Sequence, residues 1–280
     1  MAFDQKSGGV AFTKLSRYLA RLEKKLAPES VHRFRTYSRR VEAVVSEFAS
    51  EPSGNQKKVL RCLERLRKKA GKVRDLDVQI AALRSLKIPQ DAKRKSRLMR
   101  TLIEERAQGE RKLPKTFDEE TVSELRKRLK RAAKKVHITA ATDPVAKAVR
   151  LFADVGKDHV PVNEKKLHQY RIAGKRARYL AELALPSPEA KRVVDELKHM
   201  QDVIGDWHDW LKLTLRAQGL FGGLEDSSLV AALHNITRAK FRQSLHALGQ
   251  AQAALLPKGA SPELPSTRKQ PPASAVQPAA

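Results

Sequence analysis

Apolar residues recur at helical steps along almost the whole chain. Leu15, Leu19, Leu22 and Leu26 share one stripe, and Val59, Leu63, Leu66 and Ala70 share another, the three-and-four spacing of a single helix face. No stretch alternates apolar and polar residues between turn signals, so strands are not expected. Breaks fall at Ala27-Pro28, Glu51-Pro52-Ser53-Gly54, Ile88-Pro89, Gly109 to Pro114, Asp143-Pro144, Val160-Pro161, Pro186 to Pro188 and Gly219 to Gly223. Roughly ten helices are predicted by that punctuation. From Pro257 to Ala280 the chain is rich in Pro, Ala and Ser and poor in apolar residues, and reads as a disordered tail.

The pattern repeats itself. His32-x-x-Arg35-x-x-x-Arg39-Arg40 returns as His168-x-x-Arg171-x-x-x-Lys175-Arg176, an offset of about 136 residues. Gly71-Lys72-Val73-Arg74-Asp75 has a counterpart in Gly205-Asp206-Trp207-His208-Asp209, offset by about 134. Two blocks at nearly one offset predict an internal duplication, with a first half at about 10–138 and a second at about 143–256. The period is far longer than that of a solenoid, so two helical bundles packed side by side are expected, in one domain over residues 1–256.

Composition adds a partner to this picture. The 280 residues include 57 Lys and Arg against 31 Asp and Glu, a formal net charge of +26, yet 41% are hydrophobic. Such a chain folds, and its surplus calls for an anion: nucleic acid, an acidic membrane or inorganic polyphosphate. The lone Cys62 excludes an internal disulfide, fits a reducing compartment and reads as a small core residue. There is no apolar run near 18 residues and no signal-peptide pattern, so a cytoplasmic protein with no membrane partner is expected.

The cations are ordered on helix faces. Lys14, Arg17, Arg21 and Lys24 form one stripe; His32, Arg35 and Arg39 a second; Lys58, Arg61, Arg65, Lys68 and Lys72 a third; His168, Arg171, Lys175 and Arg178 a fourth. Solvated faces usually mix signs, because like charges three or four residues apart oppose the helix. Roughly ten such pairs, at about 0.2–0.5 kcal/mol each, amount to about 2–5 kcal/mol before salt screening. An anion seated between the stripes would remove that penalty; simple solvation is the alternative. Around the fourth stripe nearly every residue from Leu167 to Leu185 is apolar or small, with Tyr179 and Glu182 on the basic arc. Packing on most sides, with the charges facing a cleft, is therefore expected. Asp75, Asp77 and Asp209 are read as orienting nearby arginines, with helix capping as the alternative for Asp75 and Asp209.

Taken together, Val31-His32-x-x-Arg35-x-x-x-Arg39-Arg40, Gly71-x-x-Arg74-Asp75-x-Asp77-Val78, Leu167-His168-x-x-Arg171-x-x-x-Lys175-x-x-Arg178-Tyr179-x-x-Glu182 and Gly205-x-x-His208-Asp209 resemble the CHAD family, the conserved histidine α-helical domain. The resemblance spans most of residues 10–255. It implies an all-α fold of two pseudo-repeat antiparallel helical bundles around a basic central cavity. It also implies binding of inorganic polyphosphate, often at polyphosphate granules, with granule-associated proteins as possible companions. By that likeness His32, Arg35, Arg39 and Arg40 would hold phosphate from the first half, and His168, Arg171, Lys175 and Arg178 from the second. Arg74 and the Lys58–Lys72 stripe would supply further positive charge. The counterpart of that stripe is Arg192, Asp195, His199, Asp202 and Asp206, and Glu42 stands opposite Arg178, so the halves are not equivalent and the first is expected to contribute more charge.

Catalysis is not expected. His208-Asp209 resembles the metal dyad of His-Asp phosphohydrolases, but its counterpart Arg74-Asp75 lacks the ligand. Arginines beside His32 and His168 disfavour a cation, so neither metal nor cofactor is expected. No phosphate-binding glycine loop occurs around Gly174-Lys175. The Glu-x-Glu-x-Lys motif of triphosphatase domains fused to some CHAD proteins is absent. The runner-up function is a helical binder of nucleic-acid backbones, against which an aromatic content of 5% counts, since single-strand binders stack bases on rings. The duplication makes a monomer sufficient.

Overall fold

The computed structural model describes residues 5–49, 51–136 and 143–256. The expected junction of the halves near residue 140 and the expected disordered tail at 257–280 both lie outside the described residues. Within them there are nine α-helices and no strand: α1 (Gln5–Lys24), α2 (Pro28–Phe48), α3 (Gly54–Ser85), α4 (Ala92–Lys112), α5 (Glu119–Ala133), α6 (Pro144–Ala153), α7 (Glu164–Ala181), α8 (Pro188–Phe221) and α9 (Ser228–Leu255).

The sequence breaks become helix caps. Ser53 opens α3 with a reciprocal capping box to Gln56, and the Asp118 carboxylate accepts from Thr121 N at 2.7 Å to open α5. Asp143 accepts from Val145 N and Ala146 N, Asn163 from Lys166 N, and Ser187 from Ala190 N, so in each case one or two spare amides of the first turn find a side-chain oxygen. Helix α8 stops at Gly222, whose φ of 85° lies in the left-handed region that glycine enters without a Cβ clash.

The long helices α3 and α8 each serve two apolar clusters. The larger joins Leu15, Leu19 and Leu22 of α1, Phe34 and Val41 of α2, Val59, Leu63 and Leu66 of α3, Leu125 and Leu129 of α5, Phe152 of α6, Leu167 and Tyr170 of α7, and Leu197 and Ile204 of α8. The smaller joins Leu76, Ile80 and Leu83 of α3, Leu98 and Leu102 of α4, Leu213 and Ala217 of α8, and Leu229, Val230 and Leu233 of α9. The core therefore divides along the length of α3 and α8, and not at the boundary between the sequence halves. Each fully buried leucine contributes about 1.5–3 kcal/mol.

Helix α2 packs on α7, which brings the two copies of the repeated motif face to face. Ion pairs seal this seam. Arg40 Nε donates to Glu182 Oε2 at 2.7 Å, and Arg176 and Lys147 both reach the Glu47 carboxylate. Trp207, beside His208, is fully buried in the core.

Candidate anion-binding site

Four helices deliver one basic cluster. Helix α2 contributes Arg35 and Arg39, one turn apart, and α7 contributes His168, Arg171 and Lys175 from the facing surface. Helix α3 adds Arg74 and Asp75, and α8 adds His208, Asp209 and Lys212. The electrostatic influence of these groups on one another marks them as one neighbourhood. Burial lowers the pKa of Arg35, Arg39 and Arg74 lower it further, and Asp75 and Tyr179 oppose them. Burial likewise lowers the pKa of Arg171, with Arg39 acting in the same direction against Asp209 and Asp75. Lys175 is displaced most: burial, Arg171, Arg39 and Arg35 bring it down to about 6, with Asp209 alone resisting. A lysine held there is largely neutral at pH 7.

Two buried polar atoms in the cluster lack partners. The Arg171 Nε is buried without a hydrogen-bond acceptor, and so is His208 Nδ1, whose distance to Asp209 Oδ1 is 3.8 Å. The His168 and His208 rings stack, centroids 5.4 Å apart at 22°. Burial, then the neighbouring His208 and the cations Arg171, Lys175 and Lys212, lower the His168 pKa. The Arg35 guanidinium lies along α3 at Gly71, where an added Cβ would stand 3.5 Å from Nη2. Of the two carboxylates, Asp75 accepts from Lys212 Nζ at 2.8 Å. Both Asp75 and Asp209 sit inside long helices, so the capping alternative falls. Asp77 orients Arg106, at 2.8 Å, and no stripe residue.

The predicted site residues do not all stay together. Arg35, Arg39, Arg74, His168, Arg171 and Lys175 are brought together. His32 is exposed at the rim of an adjoining hollow of about 360 Å³, which it lines with Arg35, Arg74 and Arg106. Arg40 and Arg178 are drawn off by one acid: Glu182, only 9% exposed, takes Arg40 on one oxygen and Arg178 Nη1 on the other at 3.1 Å. The α1 stripe (Lys14, Arg17, Arg21 and Lys24) is exposed, as are Lys58, Arg61, Arg65 and Lys68 of α3, and these do not meet the cluster. The leucine stripes of α1 and α3 take the inward faces, which turns the neighbouring cations outward. Lys72, also exposed, borders a second hollow of about 500 Å³ shared with Asp75 and Lys212.

Both sequence halves supply basic side chains to this arrangement. Arg35, Arg39 and Arg74 come from one half, and Arg171, Lys175 and Lys212 from the other. One contributor went unnoticed in the sequence: Lys212, which follows His208 by four residues, a spacing that would have placed it on the same face. Among the described residues no group of three or more His, Cys, Asp or Glu side chains is placed to hold a metal, and no helix is long and apolar enough to cross a membrane.

An all-helical protein with arginines and a depressed lysine gathered where four helices cross is what fold and site define. The family follows from comparison: a model of the CHAD domain matches residues 10–218, and the chain belongs to that family. The crystal structure of the CHAD domain from the plant Ricinus communis superimposes with a TM-score of 0.65 at 17% identity, covering 91% of this chain and 93% of that one. At that identity the likeness speaks for the fold. No curated protein matches.

Proposed function

We propose that the cluster formed by Arg35, Arg39, Arg171 and Lys175 binds inorganic polyphosphate, without catalysis, and that the protein associates with polyphosphate granules through it. The observation that carries this reading is an excess of partly buried cations over carboxylates at the α2–α7 seam, including an arginine nitrogen with no acceptor. Unliganded, these groups repel one another and lose hydration. A phosphate chain supplies oxygens to all of them, and arginine forks grip such oxygens two at a time. Family membership supports the same ligand, since CHAD proteins are linked in general to polyphosphate.

The test is titration calorimetry with polyphosphate on the Arg39→Gln/Arg171→Gln variant. Two charge-assisted hydrogen bonds at about 1.5–3 kcal/mol each predict a loss of roughly a hundredfold or more, with helicity retained. Wild-type affinity in that variant would place the ligand elsewhere. Duplex DNA that displaces polyphosphate at equal phosphate concentration would favour a nucleic-acid backbone as the ligand instead.

A further inference from the structure

Arg17 of the exposed α1 stripe has a place of its own. Helices α1 and α5 lie side by side and enclose a groove of about 880 Å³, floored by the buried Phe12 and Leu129. Five exposed cations line it: Arg17 from α1, Arg126, Lys127 and Lys130 from α5, and Lys134 at the cap just past its end. The hydroxyls of Thr13, Ser16 and Ser123 line it too, and Arg126 Nε donates to Ser16 Oγ at 3.2 Å. No carboxylate is among the described residues that line it. The acid of this stretch of α5, Glu124, is turned instead to Arg128 at 2.6 Å, with Arg131 at 3.9 Å. From Ser123 to Lys134 the cationic edge runs about 16 Å at 1.5 Å per residue.

The groove is not isolated from the central cluster. The Tyr18 and Tyr37 rings stack at 5.4 Å, with Arg21 over Tyr18. Lys14 lies 5.7 Å and Arg40 4.7 Å from the Tyr37 centroid. A cationic row thus leads from Arg17 through Lys14 across α2 to Arg40, which pairs with Glu182 through its Nε and directly follows Arg39 of the cluster in α2.

We infer that the α1–α5 groove is a second polyphosphate site, and that one long chain runs from the central cluster along this row into it. The ligand class rests on the reading given for the central cluster. Cations and hydroxyls without an exposed ring suit a chain of phosphates that has no bases to stack. A chain held at both places gains affinity from linkage alone, so binding strengthens with chain length beyond what one site allows.

The experiment is calorimetry with tripolyphosphate and with long-chain polyphosphate on the wild type and on Arg126→Gln/Lys130→Gln, whose positions are exposed. The groove variant should bind the long chain about tenfold more weakly, with fewer phosphate residues covered per protein. Its dependence of log affinity on log salt should be shallower by about 1.4, while tripolyphosphate binding changes less than about twofold. Unchanged affinity and coverage for the long chain would overturn the inference. Equal losses for the short and the long ligand would overturn the single-chain path. Circular dichroism and a second pair, Lys127→Gln/Lys134→Gln, guard against a folding defect. If Arg39→Gln/Arg171→Gln leaves tripolyphosphate binding intact while the groove pair weakens the long chain, the central reading fails and the groove stands.

Discussion

Lys175 ties folding, protonation and ligand binding together, and substituting it separates them. Its pKa, lowered from 10.5 to about 6 by burial and by Arg171, Arg39 and Arg35, corresponds to a penalty of up to about 6 kcal/mol on the charged form, at about 1.36 kcal/mol per pH unit. The unfolded chain holds the proton up to about pH 10.4, whereas the folded chain releases it above about 6. Between those values the unfolded state binds more protons, so the lysine's cost to stability shrinks as pH rises. Relative to the nearly isosteric Lys175→Met, wild type should be less stable by at most about 5 kcal/mol at pH 7 and about 2 kcal/mol at pH 9. Solvent reaching the partly exposed side chain reduces both figures but not the sign of the slope. Urea unfolding of both proteins in salt-matched buffers from pH 6 to 9 measures the difference, in which most other titrations cancel. A gap that stays constant over that range refutes the reasoning. The same linkage makes phosphate binding take up a proton near pH 7, visible as a buffer-dependent calorimetric enthalpy, with affinity falling as pH rises.

Substitutions at two further residues probe the frame. Glu182→Gln leaves Arg40 and Arg178 facing one amide, and should cost about 2–4 kcal/mol, somewhat under the value for fully buried pairs; a loss below about 1 kcal/mol in urea unfolding would mean that solvent already compensates these arginines. Asp91, 6% exposed, accepts from Ser227 Oγ at 2.8 Å and Leu229 N at 2.9 Å at the start of α9. Burial opposes its charge, but the bonds from Leu229, Ser227 and Arg94 outweigh it and lower the pKa. Its contribution should be whole above the ordinary value of 3.8 and vanish as pH falls through the lower folded value. Asp91→Ala should cost about 2–3 kcal/mol near neutral pH, and Asp91→Asn should unfold in acid with a weaker pH dependence than wild type; the same steepness would refute the assignment.

The helices were legible because their starts are chemical: Ser53, Asp118, Asp143, Asn163 and Ser187 each precede a periodic run and each caps it. The cluster at the α2–α7 seam was legible too, since the motif occurs twice and α7 carries apolar residues beside its charges. What stayed hidden depends on rotation about each helix axis relative to distant neighbours. The spacing of Lys14, Arg17, Arg21 and Lys24 says that they share a face, not that Leu15, Leu19 and Leu22 would turn it outward. Likewise Arg40 looks free in the sequence, and only the crossing of α2 over the end of α7 lets Glu182, four residues after Arg178 and paired with it, claim Arg40 as well. Glu42 and Arg178, at matching positions of the repeat, find opposite partners: Glu42 holds Arg67 and Arg178 holds Glu182.

Helix α9 lies beyond residue 218, where the family model stops, yet its Leu229, Val230 and Leu233 close the smaller cluster and its Leu248, Ala251 and Leu255 complete the larger. A polypeptide trimmed at the edge of the recognisable motif region would leave α8 with a bare greasy flank along most of its length, an invitation to self-association. The working unit is therefore longer than its signature, and its last wall is made of residues that no pattern of cations would ever have pointed out.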